Sequence, residues 1–232
     1  MIRIEPVGES GCMLYLGEQI DPRVCARVCR AAELIRQRLM PYIIDMVPSY
    51  ASIYLSVDLS RSGVEAFCRL LREALHDLDR AALDQEVSGE VIRVGVYYGP
   101  EVAPDLDEVA GHTGLSRDEI IALHSSEDYL VYAIGFSPGF CFMGNTDARL
   151  RVPRKASPRT RVPAGSVALA DQQTAVYPTV SPGGWQIIGR TTVDMLALCQ
   201  RADSPLQVGA RVRFEPISLE DFRQAEGDSD GI

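Results

Sequence analysis

The stretch from Ala133 to Thr191 constrains the fold more than any other part of the chain. It reads AIGFSPGFCFMGN, then RVPRKASPRTRVPAGSVALADQQTAVYP, and closes on SPGGWQIIGRT. Proline and glycine recur every few residues and fix backbone turns at many places. Short runs between the turns, Ser166–Ala170 and Trp185–Arg190 among them, read as strands. The stretch is a set of loops displayed on a β scaffold, where binding groups usually sit.

Upstream, Ile2–Pro6 and Cys12–Leu16 flank Gly8 and Gly11 and read as a strand pair. Asp21-Pro22 supplies an N-cap followed by proline at the first helical position. Val24, Val28, Ala31, Ile35 and Leu39 follow at helical spacing, and Pro41 ends the run. Tyr42–Val47 is a short apolar run; in Ala51–Val57, apolar residues alternate with Ser52, Tyr54 and Ser56, as in a half-buried strand. A second helix is expected over Ser62–Arg80, with Phe67, Leu71 and Leu75 on one face. A polar loop, Ala81–Glu90, leads to a strand at Val91–Tyr98.

From Cys12 onward this order is β-α-β-β-α-β, a ferredoxin-like arrangement, placed in a first domain over 1–98. Residues 99–128 form a helical connector, in which Ser116 and Glu119 make a capping box stapled by Leu115 and Ile120. Residues 129–225 carry many short strands with Gly/Pro turns, which predicts a closed or nearly closed β structure. A short helix opens near Ser218–Asp221, and residues 226–232 read as a disordered tail. The fold class is α+β.

The net charge of −9 argues against binding nucleic acid by counterion release. Six cysteines without a CxxC pair, and only three histidines, argue against a zinc site. The N-terminus lacks a signal pattern and no apolar run approaches a membrane span, so a cytoplasmic protein is expected.

The segments GFSPGFCFMG, VPRKASPRTRVPAGSVALADQQTAVYP and SPGGWQIIGRT closely resemble the PxpB/KipI family. VYYGPEVAPDLDEVAGHTGLSRDEIIALHSSEDYLVY, GEQIDPRV and IIDMVPSYASIYL extend the resemblance over nearly the whole chain. That family includes the B subunit of prokaryotic ATP-dependent 5-oxoprolinase, a sporulation-kinase inhibitor and a region of urea carboxylase. The resemblance implies a cyclophilin-like β-barrel as the second domain and a C-type (PxpC/KipA-like) partner subunit. It also implies a lactam-opening (PxpA-like) subunit and ATP as its magnesium salt, with no protein-bound metal. The implied activity, held by the complex, is conversion of 5-oxoproline to glutamate. A urea carboxylase-type carboxyltransferase subunit and a histidine-kinase inhibitor are the alternatives. Two positions depart from the family: Cys141 stands where proline is frequent, and Ala170-Asp171 where a small Gly-Gly-like pair is frequent.

Arg149, Arg151, Arg154, Lys155, Arg159 and Arg161 fall in a window without Asp or Glu. Arg154, Arg159 and Arg161 suit bidentate contact with phosphate or carboxylate; a solvated basic loop or an acidic partner is the alternative. Lys155 is the only lysine, which composition alone explains. Ser137-Pro138-Gly139-Phe140 and Ser181-Pro182-Gly183-Gly184 are paired loops whose free N–H groups can hold an oxyanion, or simply two tight turns. Neither a P-loop nor an HExxH motif occurs, neither serine has an adjacent base in sequence, and no catalytic residue is assigned. Gln173 and Tyr177 share one strand face and Thr174 takes the other; Gln186 and Arg190 share a face on a later strand. Gln173 and Arg190 are expected to line a pocket. Trp185 serves as a stacking platform or a core anchor. His124 is either a cation favoured by a helix C-terminus or a site residue. Arg159, Arg161 and Arg190 are expected to act on a ligand rather than on stability.

Overall fold

A computed structural model describes residues 2–78 and 90–229 of the chain. The architecture is mixed α and β, dominated by antiparallel pairing, and divides into two compact units, Met1–Ser88 and Gly89–Ile232.

The first unit contains β1 (Arg3–Val7), β2 (Gly11–Tyr15), α1 (Pro22–Leu39), β3 (Ile43–Ser49), β4 (Ser52–Val57) and α2 (Val64–Ala74). Its strands pair antiparallel in the order β1-β2-β4-β3. Asp21 caps α1, its Oδ1 accepting from the Arg23 N–H at 2.7 Å, with Pro22 in the first turn. Val28, Ile35 and Leu39 of α1, and Phe67 and Leu71 of α2, are buried. So are Cys12, Leu14, Ile53, Leu55 and Val57 of the strands. Each large apolar side chain so buried contributes roughly 1.5–3 kcal/mol. The Cys12 and Cys68 thiols meet at 3.4 Å inside this core, where burial and then Cys68 push the Cys12 thiol up to about 12. They act as small hydrophobes.

Two expectations change here. Helix α2 ends at Ala74, because Leu75 leaves helical geometry at φ −102°, ψ 9°, although Leu75 and Leu78 remain buried. Residues 79–80 of the expected helix, and the expected loop up to residue 89, lie outside the described residues. The strand expected to complete the first domain, β5 (Ile92–Val96), instead belongs to the second unit. It pairs parallel with β13 (Arg211–Pro216). Alternation of apolar residues marks a strand but does not name its partner. Val94 and Val96 are buried in one core with Val212 and Phe214, and that burial selects the pairing.

The second unit continues with α3 (Leu106–Thr113), α4 (Arg117–Ser125), β6 (Asp128–Ile134), β7 (Cys141–Gly144), β8 (Arg159–Val162), β9 (Ser166–Ala170), β10 (Gln173–Val176), β11 (Ser181–Gly183), β12 (Gln186–Arg190), α5 (Met195–Gln200), β13 and α6 (Leu219–Ser229). The main sheet runs β5-β13-β6-β7-β10-β9-β12, antiparallel except for its first pair. Just past β5, Tyr97 exchanges two backbone hydrogen bonds with Arg190 of β12, each 2.8 Å. The two ends of the sheet therefore meet, and the unit is a nearly closed β structure. Strands β8 and β11 form a separate antiparallel pair.

Ser116 and Glu119 form the expected capping box at the start of α4. The helices do more than connect. Leu106, Val109 and Ile120 belong to the same buried core as Val131, Met143, Leu169, Ile188 and Phe214. At the other end α6 continues through Glu226–Ser229, where a disordered tail was expected, and Glu226 lies 3.6 Å from the Arg190 guanidinium.

The turn before β9 depends on Gly165. Its φ is +77°, its N–H donates to Tyr177 O at 2.8 Å, and its carbonyl accepts from Thr191 N at 2.9 Å. A Cβ there would collide with the Thr191 carbonyl. Left-handed strain and overpacking together predict that Gly165→Ala loses about 2–5 kcal/mol of stability. Urea unfolding measures this; a change below about 0.5 kcal/mol would show that the turn relaxes freely.

Candidate functional site

The polar centre of the second unit is a residue that no motif in the sequence singles out. Asp105, at the N-cap position of α3, is 2% exposed and its side chain does not cap the helix. Its carboxylate instead accepts both arms of Arg159, at 2.8 and 2.6 Å. It also accepts Lys155 Nζ at 2.9 Å and the Ile187 N–H at 2.7 Å. Burial pushes this carboxyl up, but the Arg159 fork, the Ile187 N–H and Lys155 together hold it below the usual carboxylate range. Lys155 Nζ reaches Glu108 Oε2 at 2.6 Å as well, and Glu108 and Asp105 raise the pKa of its ammonium. Gln186 Nε2 completes the group, donating to Glu108 Oε1 at 3.1 Å and to Pro153 O at 3.3 Å.

This cluster divides the basic window. Lys155 and Arg159 are engaged with acids, and Arg149 pairs with Asp147 at 2.7 Å. Among the described residues Arg151, Arg154 and Arg161 have no carboxylate partner, and all three are exposed. The expectation that Arg159 is free for a ligand is therefore corrected: its fork is filled by Asp105. Arg190 is also engaged, through Nε to Ala164 O at 3.0 Å and through Glu226. Lys155, which composition seemed to explain, is structural.

The paired loops border an aromatic cluster. Phe140, Tyr177 and Trp185 are buried with Val162, Ala168, Ala170, Ala175 and Ile187. The Phe140 ring meets Tyr177 edge-on at 5.2 Å and Trp185 at 5.8 Å. Trp185 is thus a core anchor, with the Arg154 guanidinium 5.7 Å above its ring. Gly139 adopts φ +82° and packs against α5, where a Cβ would come within 2.8 Å of Met195 O. A Cβ on Gly183 would collide with the Tyr177 hydroxyl, whereas Gly184 lies against Pro158 and accepts the Lys155 N–H at 2.7 Å. The hydroxyls of Ser137 and Ser181 and the Oε1 of Gln186 are buried without a hydrogen-bond partner. Gln173 is half-buried at the start of β10. A surface hollow of about 570 Å³ lies elsewhere, lined by Glu90, Val91, Ile92, Arg93 and Pro205.

Gly135-Phe136-Ser137-Pro138-Gly139 also has the G-x-S-x-G spelling of a nucleophile elbow. Its context is wrong. The loop joins β6 to β7 rather than a strand to a helix. The buried histidine cannot serve as its base. His124 is 0% exposed, with Nδ1 2.7 Å from the Tyr98 hydroxyl and Nε2 2.8 Å from Thr174 Oγ1. Its ring stacks on Phe214 at 4.6 Å, and burial lowers its pKa from 6.5 to about 3. The expected helix-end cation is therefore a neutral core residue, and Thr174 is its partner inside the core. Among the described residues no three His, Cys, Asp or Glu side chains converge as a metal site. No described helix is long and apolar enough to cross a membrane.

The model of the carboxyltransferase domain, subdomain C and D, matches residues 2–206. The chain belongs to this family. It is 36% identical to the B subunit of 5-oxoprolinase from Bacillus subtilis (strain 168), over 98% of both chains. It is 35% identical to the corresponding B subunit from Escherichia coli O157:H7, over 90% of this chain and 94% of that one. The crystal structure of TTHA0988 superposes with a TM-score of 0.76 at 36% identity. That match covers 94% of this chain and 40% of the longer solved chain. The PxpB/KipI resemblance seen in the sequence agrees with these matches.

The two departures from the family have local explanations. Cys141 is fully buried on β7, and burial pushes its thiol up to about 12, so it packs as an apolar group. Asp171 is exposed in the turn between β9 and β10 at φ +53°, a left-handed position that glycine adopts without strain.

The ion cluster and the buried ring each set a measurable expectation. Arg159→Ala strands a buried carboxylate with fewer donors and should lose about 3 kcal/mol of stability. Arg161→Ala should lose less than about 0.5 kcal/mol. Equal melting temperatures for the two variants would contradict the assignment of Arg159 to Asp105. For His124, the unfolded chain takes up a proton below pH 6.5 that the folded chain refuses until about 3. Stability is then complete above pH 6.5 and falls by about 1.4 kcal/mol per unit as acid is added. Urea midpoints between pH 7 and 4.5 should show this slope in the parent and a flatter one in His124→Gln. An unchanged slope would remove His124 as its source.

Proposed function

We infer that this chain is the B subunit of an ATP-dependent 5-oxoprolinase, working with a C-type subunit and a lactam-opening subunit to convert 5-oxoproline to glutamate. The observation that carries the reading is the match to two such B subunits over at least 90% of every chain involved. In this reading the second unit is a cyclophilin-like barrel and the first a ferredoxin-like domain whose last strand is replaced by β1. Residues 99–128 keep the role of a helical link that has become part of the barrel core. The complex works in the cytoplasm, where a reducing environment suits six free thiols.

The residues proposed to meet ligand start from the arginines that have no carboxylate partner among the described residues. Arg154 and Arg161 present exposed guanidinium groups suited to the phosphates of ATP or to a substrate carboxylate. The loops at Ser137–Phe140 and Ser181–Gly184 supply close backbone approach. Gln186 adds an amide, while Gln173 flanks the region. Magnesium enters with the nucleotide. No general base or nucleophile among these side chains makes the chain self-sufficient, so catalysis is a property of the complex.

The isolated chain is therefore expected to turn over 5-oxoproline with ATP at background rate only. Addition of the C-type and lactam-opening subunits should restore glutamate release. Full activity from this chain alone would refute a subunit role, and inactivity of the complete mixture would refute the substrate.

A further inference from the structure

Among the described residues, Tyr50, Phe136 and Asp171 hold a left-handed backbone without being glycine. Tyr50 and Asp171 each open a two-residue hairpin turn, between β3 and β4 and between β9 and β10, where the turn itself calls for a positive φ. Phe136 is different. It lies at φ +69° in the longer connection, residues 135–140, between β6 and β7. A bulky residue is rarely found in this conformation, and strain kept at one place points to a function there. The ring is also 63% exposed, so it gains little from burial. Backbone strain and a bare aromatic ring coincide in one residue.

The loop holds that ring in a fixed place. Gly135 N–H donates to Phe140 O at 3.1 Å and Phe140 N–H donates to Ser137 O at 3.0 Å, which closes the loop across its base. Gly139 is packed against Met195 and Leu196 of α5. The Phe136 ring stands edge-on to Phe140, with centroids 5.2 Å apart. Phe140 is buried and itself packs against Phe142, Tyr177 and Trp185. Phe136 is a rigid knob set on the aromatic core, and Pro138 is the other exposed side chain of the loop. No charged residue occurs from Tyr129 to Thr146, although charged residues are 24% of the chain. Burial explains this for β6 and β7, but not for Phe136 and Pro138. An exposed aromatic without charges in its loop has the composition of an interface core rather than of a wetted surface.

Building on the B-subunit reading, we propose that Phe136 anchors the contact with the C-type subunit, its ring entering an apolar pocket on that protein with Pro138 alongside. The occupant is chosen by constancy. A ring held bare in the free chain suits a neighbour that is always present. The match to TTHA0988 spans 40% of a longer chain, so the corresponding unit there has a covalent neighbour. A ring already placed by its loop loses little freedom on docking. Aromatic side chains of this kind carry much of the binding energy at interface centres.

The test titrates the purified chain with the purified C-type subunit by calorimetry. Phe136→Asn and Phe136→Asp both remove the ring and both suit a left-handed backbone. Each should melt within about 2 °C of the parent. The Asn variant should weaken the complex by at least about tenfold, and the Asp variant, which also forces a charge into the pocket, by more. An unchanged Kd in both variants would overturn the anchor. An unchanged Kd with a raised KM for ATP or 5-oxoproline in the complete complex would overturn it too, and would place the ring on a ligand. A fall in melting temperature that tracks the loss of affinity would make the ring structural and overturn the proposal as well. Failure of the parent chain to bind the C-type subunit would instead overturn the subunit reading, and this surface with it.

Discussion

One buried carboxylate organises the second unit. Asp105 stands at the entry of α3 and holds Ile187 of β12, Arg159 of β8 and Lys155 at once. A charge so far from water persists only because its oxygens are met by several donors and two positive charges lie alongside. The cost of desolvation makes the arrangement all-or-none: with one donor gone, the rest must hold an under-compensated charge. Arg154 and Arg161 adjoin Lys155 and Arg159 in the chain, so the backbone that carries them is held by the cluster.

That arrangement explains why a strongly basic window sits in an acidic protein without being a uniform basic patch. The cations nearest the core are neutralised by Asp105 and Glu108, whose pKa is lowered by Lys155 and then Gln186. The cations left over are those on the exposed side. Position along the window, rather than residue type, separates a structural arginine from an available one. Arg159 and Arg161 illustrate this: they are two residues apart on β8, and one forks onto a buried acid while the other faces solvent.

Local features are legible in the sequence because their causes are local. The Asp21-Pro22 start, the Ser116–Glu119 box and the alternation of β4 each follow from neighbouring residues. Pairings over long separations are not legible. The alternation at Ile92–Val96 fits any sheet that offers an apolar face, and only the buried Val212 and Phe214 decide which. Asp105 is invisible for a related reason: Pro104-Asp105-Leu106 reads as an ordinary helix start, and the residues it binds lie about fifty or more positions away. His124 misleads because its helix-end position is plain while Tyr98, Thr174 and Phe214 around it are not.

The pairing of β5 with β13 also bears on how such a chain is made. Arg93 of β5 and Glu215 of β13, whose side chains form an ion pair across that ladder, are 122 positions apart. Contacts of such separation form late, because a long loop must be closed before they repay its entropy. While the ribosome is still short of residue 211, β6 lacks its partner β13 and β5 has no parallel neighbour. The second unit therefore completes itself only once nearly the whole chain has emerged. An early stop anywhere before β13 leaves unpaired strand edges, a form that invites aggregation and proteolytic disposal rather than partial function.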